Sequence, residues 1–269
     1  MKKFSVSLLI AATACSSPKS IDGTAHPIYN PIASAKLFTA AYEQKAAEYQ
    51  ALCLQAYNIA RLRLDQDLKK GASAKPRAVV TDIDETILDN SPYAVHQALQ
   101  GKDYTLASWT AWTSRGDADT LAGALTFFKY AAAHQVEIFY ITNREEKERV
   151  GTLANLKKYG FPDADEAHLL TRAGTSSKEA RRHMIAATHE IVLLLGDNLA
   201  DFTALFDGNR PMTERTMEVR SIASDFGKKF IVLPNANYGD WEGALYQYHY
   251  QYTPQQKDSA IRSVLKNER

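Results

Sequence analysis

The sequence predicts an α/β fold: a Rossmann-like, mostly parallel sheet with helices on both faces. Three short apolar runs, rich in β-branched residues, are typical of buried strands. They lie at 78–80, 136–141 and 191–195. Helical segments at about 121–133, 145–159 and 176–188 accompany them. Strands that alternate with helices are joined by right-handed crossovers, and such crossovers make the sheet parallel.

The remaining predicted elements lie before, between and after these strands along the chain. A long amphipathic helix is expected from 34 to about 70, ending near Gly71. Its apolar positions recur at three- and four-residue spacing, and they are Leu52, Ala56, Ile59 and Leu62. The Trp- and Tyr-rich segment 88–120 is too long for a simple loop, so we interpret it as a small cap inserted over one edge of the sheet. A last strand is expected at about 229–233, followed by a Tyr-rich helical tail.

Composition excludes several classes of protein. The chain has 269 residues, 45% of them hydrophobic, which is typical of a globular protein. Lys and Arg total 32 against 31 Asp and Glu, so no basic excess points to a nucleic acid polymer as a partner. Two cysteines cannot form a disulfide scaffold.

The N-terminus has the pattern of an export signal. Lys2 and Lys3 precede a short apolar run at 4–12, and small residues follow just before Cys15. We therefore expect a signal peptide at 1–14, a tether at 15–33 and a single domain at 34–269 that includes the cap insertion at about 88–120. The small residues before Cys15 resemble the lipobox of bacterial lipoproteins, in which the cysteine is lipidated and anchors the chain to the outer membrane. If Cys15 is lipidated, Cys53 has no partner and is expected to be a buried helix cysteine. Plain secretion into the periplasm is the alternative.

Polar motifs follow three of the predicted strands, at the edge where ligands collect in a parallel sheet. They are Asp82-Ile83-Asp84-Glu85-Thr86, Thr142-Asn143-Arg144 and Gly196-Asp197-Asn198-Leu199-Ala200-Asp201. Asp82 and Asp84 lie on the same side of an extended backbone, so their carboxylates repel unless a cation or a proton lies between them. Four acids at one edge predict a site for Mg²⁺, which prefers carboxylate oxygens.

These motifs, in this order, resemble the haloacid dehalogenase superfamily. More narrowly, four segments resemble the bacterial class C acid phosphatases: DIDETILDNSPY (82–93), FYITNR (139–144), LLGDNLADF (194–202) and LPNANYGDWEG (233–243). The resemblance implies a secreted or outer-membrane lipoprotein that hydrolyses phosphomonoesters, including nucleoside 5′-monophosphates.

The resemblance also implies a role for each residue. Asp82 would attack phosphorus and become phosphorylated, and Asp84 would act as the general acid and then the general base. Mg²⁺ would be held by Asp82, by the backbone carbonyl of Asp84 and by Asp197, while Asp201 would orient the water ligands of the metal. Thr142, Asn143 and Lys178 would contact the phosphoryl group.

An aromatic pair is expected to recognise the leaving group. The resemblance places Trp109 and Tyr238 on either side of a nucleobase, and stacking of this kind suits any base. Arg172 is an alternative to Lys178 as the cation of the site, whereas Glu85 is expected to begin a turn without binding metal.

Two other functions are consistent with the same residues. The first is a surface lipoprotein that binds a nucleotide or another flat ligand without turnover, although such a protein needs no nucleophile beside an acid. The second is a phosphotransferase that passes the phosphoryl group to an alcohol. The expected partner is a small phosphomonoester, and the sequence leaves open whether the chain is a monomer or a homodimer.

Overall fold

The computed structural model describes residues 29–268. Within that range, five parallel strands form one sheet, and two short antiparallel strands form a separate pair. In chain order, the strands are β1 (Arg77–Thr81), β2 (Leu88–Asp89), β3 (Asp119–Thr120), β4 (Glu137–Glu145), β5 (Leu169–Arg172), β6 (Glu190–Gly196) and β7 (Phe230–Val232). The order across the large sheet is β5-β4-β1-β6-β7, which confirms the predicted parallel α/β fold.

Helices cover both faces of the large sheet. In chain order, they are α1 (Pro31–Lys45), α2 (Ala47–Leu68), α3 (Ser91–Leu99), α4 (Leu106–Thr113), α5 (Ala124–Ala133), α6 (Arg149–Tyr159), α7 (Glu179–Thr188), α8 (Met212–Ser221), α9 (Asp240–Leu245) and α10 (Pro254–Val264). Val79 of β1 packs in one apolar cluster with α2 and α5, while Ala78 and Val80 pack in a second cluster with Ile185 of α7. This alternation along one strand is what buries both faces of a central parallel strand.

The expected N-terminal helix is two helices. The backbone of Ala46 is extended, with φ −80° and ψ 125°, and separates α1 from α2. The prediction of one continuous helix was therefore wrong, and alanine, the strongest helix former, gives no local warning of the break. Tertiary packing explains it, because α1 packs against α3 and α10, whereas α2 packs against α5 and the sheet. Helix α1 also begins three residues earlier than predicted, where the Asn30 side chain accepts hydrogen bonds from the backbone N–H groups of Ile32 and Ala33.

The buried face of α2 differs from the predicted one. Leu52 and Leu62 are about half exposed, at 43% and 52%. The residues that face the core are Tyr49, Cys53, Ala56, Tyr57, Ala60 and Leu64. Both sets have helical spacing, so periodicity alone could not choose between them. The hydroxyl of Tyr57 reaches the backbone oxygen of Thr86 at 2.5 Å, which lets a polar aromatic lie fully inside. Cys53 is buried and unpaired, as expected.

The segment expected as a cap is closed at its base by β2 and β3, which pair Leu88 with Thr120. Helices α3 and α4 lie between those strands and carry Tyr93, Trp109 and Trp112, while Tyr104 lies in the loop between the two helices. Helix α3 packs against α1, so the N-terminal helix supports the cap from outside the sheet.

Outside the cap segment, two elements were missed from the sequence. Strand β5 has four residues at one edge of the sheet, and α8 has a mostly polar sequence that lacks a clear apolar face. The expected signal peptide, Cys15 and most of the tether lie outside the described residues. Among residues 29–268, no helix combines the length and the apolar character that a membrane span requires.

Candidate active site

Three adjacent strands bring the predicted motifs to one edge of the sheet. Asp82 follows β1, Asp197 follows β6, and Asn143 lies near the end of β4. Because β1 lies between β4 and β6, these three segments are neighbours in space although about 115 residues separate the first from the last. The N–H of Asp82 donates to the carbonyl of Leu195 at 2.9 Å, which fixes the segment that contains Asp82 to β6.

Three carboxylates form the floor of the site. Oxygen atoms of Asp82, Asp197 and Asp201 all lie within 4.8 Å of one another, and no more than 8% of Asp82 or Asp201 is exposed. A glycine is required at 196, since a Cβ there would overlap the carboxylate of Asp201. The side chain of Asp201 lies in this carboxylate cluster, and its role in orienting the water ligands of the metal stays a prediction.

The cation beside this cluster is Lys178. Its ammonium group is 4% exposed and forms ion pairs with Asp82 and, at 2.7 Å, with Asp201. Arg172, the alternative cation, is paired instead with Glu145 at the rim. With all three acids ionised, one lysine leaves two negative charges without a partner among these four side chains.

Burial makes that excess of negative charge unfavourable. Loss of hydration raises the pKa of Asp82 to about 7; Lys178 opposes the rise, while Asp201 and Asp84 add to it. Burial likewise raises the pKa of Asp197 well above its usual range, and the charges of Asp201 and Asp82 act in the same direction. A set of hard carboxylate oxygens with two uncompensated charges fits a divalent cation such as Mg²⁺.

Asp84 is held by two residues that the sequence reasoning did not assign. Arg144 donates to both Asp84 oxygens, from Nη2 to Oδ1 at 2.7 Å and from Nε to Oδ1 and Oδ2 at 3.1 and 3.2 Å. Asn90 donates its amide to Oδ1 at 2.9 Å, and its own oxygen accepts from the indole N–H of Trp112. Arg144 is 2% exposed, and Thr152 fixes its Nη1 at 3.1 Å. The sequence feature that could have identified Arg144 as a site residue is its position directly after Thr142-Asn143.

The predicted phosphate-binding residues take different positions. Asn143 is exposed to the cavity, whereas Thr142 is fully buried, and its hydroxyl accepts from the N–H of Arg144 at 3.1 Å. Arg181, one helical turn after Lys178, donates to the carbonyl of Thr142 at 2.6 Å and to Oδ1 of Asn143 at 2.9 Å. Because the oxygen of the Asn143 amide is engaged, its NH₂ group is the part that can serve a phosphoryl oxygen.

The aromatic residues adjoin the acids. The ring centroids of Trp109 and Tyr238 are 6.3 Å apart with an interplanar angle of 72°, so the two rings meet edge to face rather than as parallel plates. Tyr93 packs against the other side of Trp109 at 5.1 Å. The hydroxyl of Tyr238 donates to the carboxyl of Glu85, a buried residue with a φ of +52° that reverses the chain after Asp84. Burial and the charge of Asp84 raise the pKa of Glu85 well above its usual range.

The acids, the cations Arg144 and Lys178, the amide of Asn143 and the rings of Tyr93, Trp109 and Tyr238 border one cavity of about 480 Å³. We call its inner half the part lined by Asp82, Asp84, Asn143, Lys178, Asp197 and Asp201. We call its outer half the part lined by Lys36, Tyr93, Asp103, Trp109, Tyr238, Glu242 and Lys257. In the outer half, Lys36 pairs with Asp103 at 2.8 Å and with Glu242 at 3.4 Å, which joins α1 to the cap and to α9.

A parallel sheet with acids at two adjacent strand ends and a buried lysine between two of them defines a protein of the haloacid dehalogenase type. The model of the HAD superfamily, subfamily IIIB (acid phosphatase), matches residues 5–241. The chain therefore belongs to this acid phosphatase family, which confirms the resemblance seen in the sequence.

Solved structures agree with this assignment. The class C acid phosphatase from Bacillus anthracis is 38% identical, with a TM-score of 0.84, and the match covers 88% of this chain and 99% of that one. A structure of the same enzyme with tungstate bound matches with the same identity and TM-score, over 89% of this chain and 100% of that one.

More distant plant relatives match a shorter part. A stem 31 kDa glycoprotein of Glycine max is 28% identical over 125 residues, which is 44% of this chain and 49% of the relative. Acid phosphatase 1 of Solanum lycopersicum is 28% identical over 129 residues, 45% of this chain and 50% of the relative. The chain thus spans about half the length of the curated relatives it matches.

Proposed function

We propose that this protein is a phosphomonoesterase that works through an aspartyl-phosphate on Asp82. The observation that carries the proposal is the arrangement of Asp82: its carboxylate faces the cavity, Lys178 neutralises part of the surrounding charge, and Asp84 stands two residues away. Family membership supports hydrolysis of phosphate esters as the reaction.

In the first step, a carboxylate oxygen of Asp82 forms a bond to phosphorus while the bond to the ester oxygen breaks. The departing oxygen takes a proton from Asp84, which Arg144 and Asn90 hold in place. Lys178 supplies positive charge to the phosphoryl oxygens, and the NH₂ group of Asn143 donates a hydrogen bond to one of them.

In the second step, water attacks the phosphorus of the aspartyl-phosphate and gives a proton back to Asp84. The bond between phosphorus and the Asp82 oxygen breaks, which releases inorganic phosphate and restores both carboxyl groups.

We infer that Mg²⁺ is the cofactor, held by Asp82, Asp197 and the backbone carbonyl of Asp84. The three carboxylates of the cluster and Lys178 together carry two net negative charges when ionised, which one divalent ion balances. When bound, the ion supplies the positive charge that allows a phosphate dianion to approach three acids.

The leaving group is proposed to be a nucleoside or another flat group. The supporting observation is the aromatic lining of the outer half, where Trp109 and Tyr238 flank the mouth above the acids. Their edge-to-face contact in this structure means that a base would enter by separating the two rings.

Export and a lipid anchor at Cys15 are part of the same proposal, supported by the pattern of residues 1–15. Incorporation of radiolabelled palmitate, compared between the full precursor and Cys15→Ala, tests the anchor. Label in the precursor and none in the variant is the expected result, whereas equal label, or none in either, would favour plain secretion or another site.

The test of the activity is release of 4-nitrophenolate from 4-nitrophenyl phosphate by the wild type, by the wild type in EDTA and by Asp82→Asn. We expect strong activity in the first sample only, with a loss of about 10⁴-fold or more in Asp82→Asn. Equal rates in all three samples would contradict the proposal and favour a binding protein without turnover. If an added alcohol captures the phosphoryl group as a new ester, the protein is a phosphotransferase instead.

A further inference from the structure

Asn235 lies in the loop that follows β7 and has no part in the mechanism above. Its Nδ2 donates to Oδ2 of Asp197 at 2.7 Å. Its Oδ1 accepts from the backbone N–H of Asn237 at 2.8 Å and from that of Tyr238 at 3.3 Å. The nitrogen of the Asn235 amide therefore contacts Asp197, an acid of the carboxylate cluster. The oxygen of the same amide contacts the loop that carries Tyr238.

The loop itself is anchored at its far side. Nδ2 of Asn237 donates to the carboxyl of Glu43, and Oδ1 of Asn237 accepts from the hydroxyl of Thr39 at 2.7 Å. Both partners lie on α1, and Asn237 is 4% exposed. Because the loop is fixed in this way, the amide of Asn235 has a defined direction toward Asp197.

Asp197 needs such a partner. It is the acid of the cluster that Lys178 does not contact, since the ammonium pairs with Asp82 and Asp201. Its carboxylate is therefore oriented by Asn235 at Oδ2 and by the hydroxyl of Thr86 at Oδ1, a longer contact of 3.3 Å. Hydrogen bonds of this kind fix the direction of a metal-binding carboxylate, and their loss typically weakens metal binding about 10–100-fold.

We propose that Asn235 is a positioning residue for the cation site: it aims the carboxylate of Asp197 at the divalent ion and ties that carboxylate to the Tyr238 loop. This inference rests on the metal dependence proposed above. It adds Asn235 to the residues of the cation site. The sequence alone assigned no residue of the segment 233–243 to that site.

The test is isothermal titration of the purified protein with MgCl₂. Asn235→Ala removes both ends of the amide. Asn235→Ser keeps an oxygen that can accept from the backbone N–H two residues on, but its hydroxyl is too short to reach Asp197. We expect the Kd for Mg²⁺ to rise about tenfold in both variants.

Asn155→Ala is the matched control. Asn155 is also buried and also holds a backbone segment, through two hydrogen bonds to Ala118 at 3.0 and 2.8 Å, but it touches no acid of the cluster. We expect this variant to lose thermal stability while keeping the wild-type Kd for Mg²⁺, so a general loss of stability cannot produce the expected result.

The remaining outcomes overturn the inference in distinguishable ways. If the wild type binds Mg²⁺ and both Asn235 variants bind it equally well, Asn235 does not position Asp197, and the proposed function stands. If only Asn235→Ala is weakened, the shape of the loop matters and the amide donor does not. If the wild type itself binds no Mg²⁺, the inference and the proposed metal dependence fail together, and the 4-nitrophenyl phosphate assay still decides the activity.

Discussion

The inner half of the cavity is built from strand ends, whereas the outer half is built from helices and loops that lie far apart in the sequence. Asp82, Asn143 and Asp197 each follow a strand of the central sheet, and Lys178 lies just before α7. The outer half draws on α1, the cap, the loop after β7 and α10. In the inner half, Lys178 is buried and paired with the buried acids Asp82 and Asp201.

This difference separates the reaction from the choice of substrate. A bond-breaking step depends on charges held at fixed distances in a dry site, which a parallel sheet provides. Recognition of a leaving group depends on surfaces that can differ without disturbing the sheet, which loops and insertions provide. Changes in the inner half should therefore affect every substrate, and changes in the outer half should affect substrates according to their leaving groups.

After Asp82→Asn, the largest effect is expected for Lys178→Met. It removes the cation paired with Asp82 and Asp201, so kcat should fall about 10³-fold for every phosphate ester tested. Steady-state kinetics on 4-nitrophenyl phosphate and on a nucleoside 5′-monophosphate measure the effect, with the exposed Lys129→Met as the control. A fall in kcat with only one of the two substrates would contradict the view that the inner half serves the reaction of every substrate.

A smaller loss is expected for Arg144→Lys, about 10²-fold in kcat for every substrate. Lysine keeps the charge but loses the fork that contacts both oxygens of Asp84, so the acid is less well oriented. Arg149→Lys, on the next helix and paired with Glu146, is the control. Wild-type kinetics in Arg144→Lys would show that charge alone is sufficient at this position.

Glu43, which lies on α1, gives a prediction about how the free energy of unfolding depends on pH. Burial raises its pKa to about 7, so the folded state keeps a proton that the unfolded state releases at lower pH. The free energy of unfolding of the wild type should therefore decrease as pH rises from 5 to 7, by about 2 kcal/mol through this group. Glu43→Gln lacks this titration, so its stability should gain about that amount relative to the wild type over the same range.

Urea unfolding of both proteins at each pH measures this difference, and any fixed cost of the substitution cancels in the comparison. A constant difference between the two proteins across pH would contradict the prediction.

The smallest effect is expected for Trp109→Ala. Loss of one stacking surface should raise KM for a nucleoside 5′-monophosphate about tenfold, which corresponds to about 1.4 kcal/mol. KM for glycerol phosphate, which offers no ring, should stay unchanged and serves as the internal control. An equal rise in KM for both substrates would indicate that Trp109 contributes to the reaction itself and does not distinguish between leaving groups.

Much of the inner half could be predicted from the sequence, and little of the outer half could. Asp82, Asp84 and Asp197 line the cavity, because the motifs that contain them follow apolar runs directly, and Lys178, named through the resemblance, lines it too. Trp109 and Tyr238 were named only through a resemblance, and their edge-to-face contact could not be foreseen, since more than 120 residues separate them. The helix break at Ala46 was missed for the same reason: the cause lies in what α1 and α2 pack against.

The sequence by itself determined which acids serve the site, because the order of strands and polar motifs follows from local patterns of apolar residues. Only the tertiary structure decided how those acids are held: Arg144 and Asn90 at Asp84, Asn235 at Asp197, and Asp201 inside the cluster. The physical reason is that a hydrogen bond or ion pair between distant segments depends on atomic positions to within a fraction of an ångström. Such positions are set by the packing of the whole fold rather than by any single stretch of the chain.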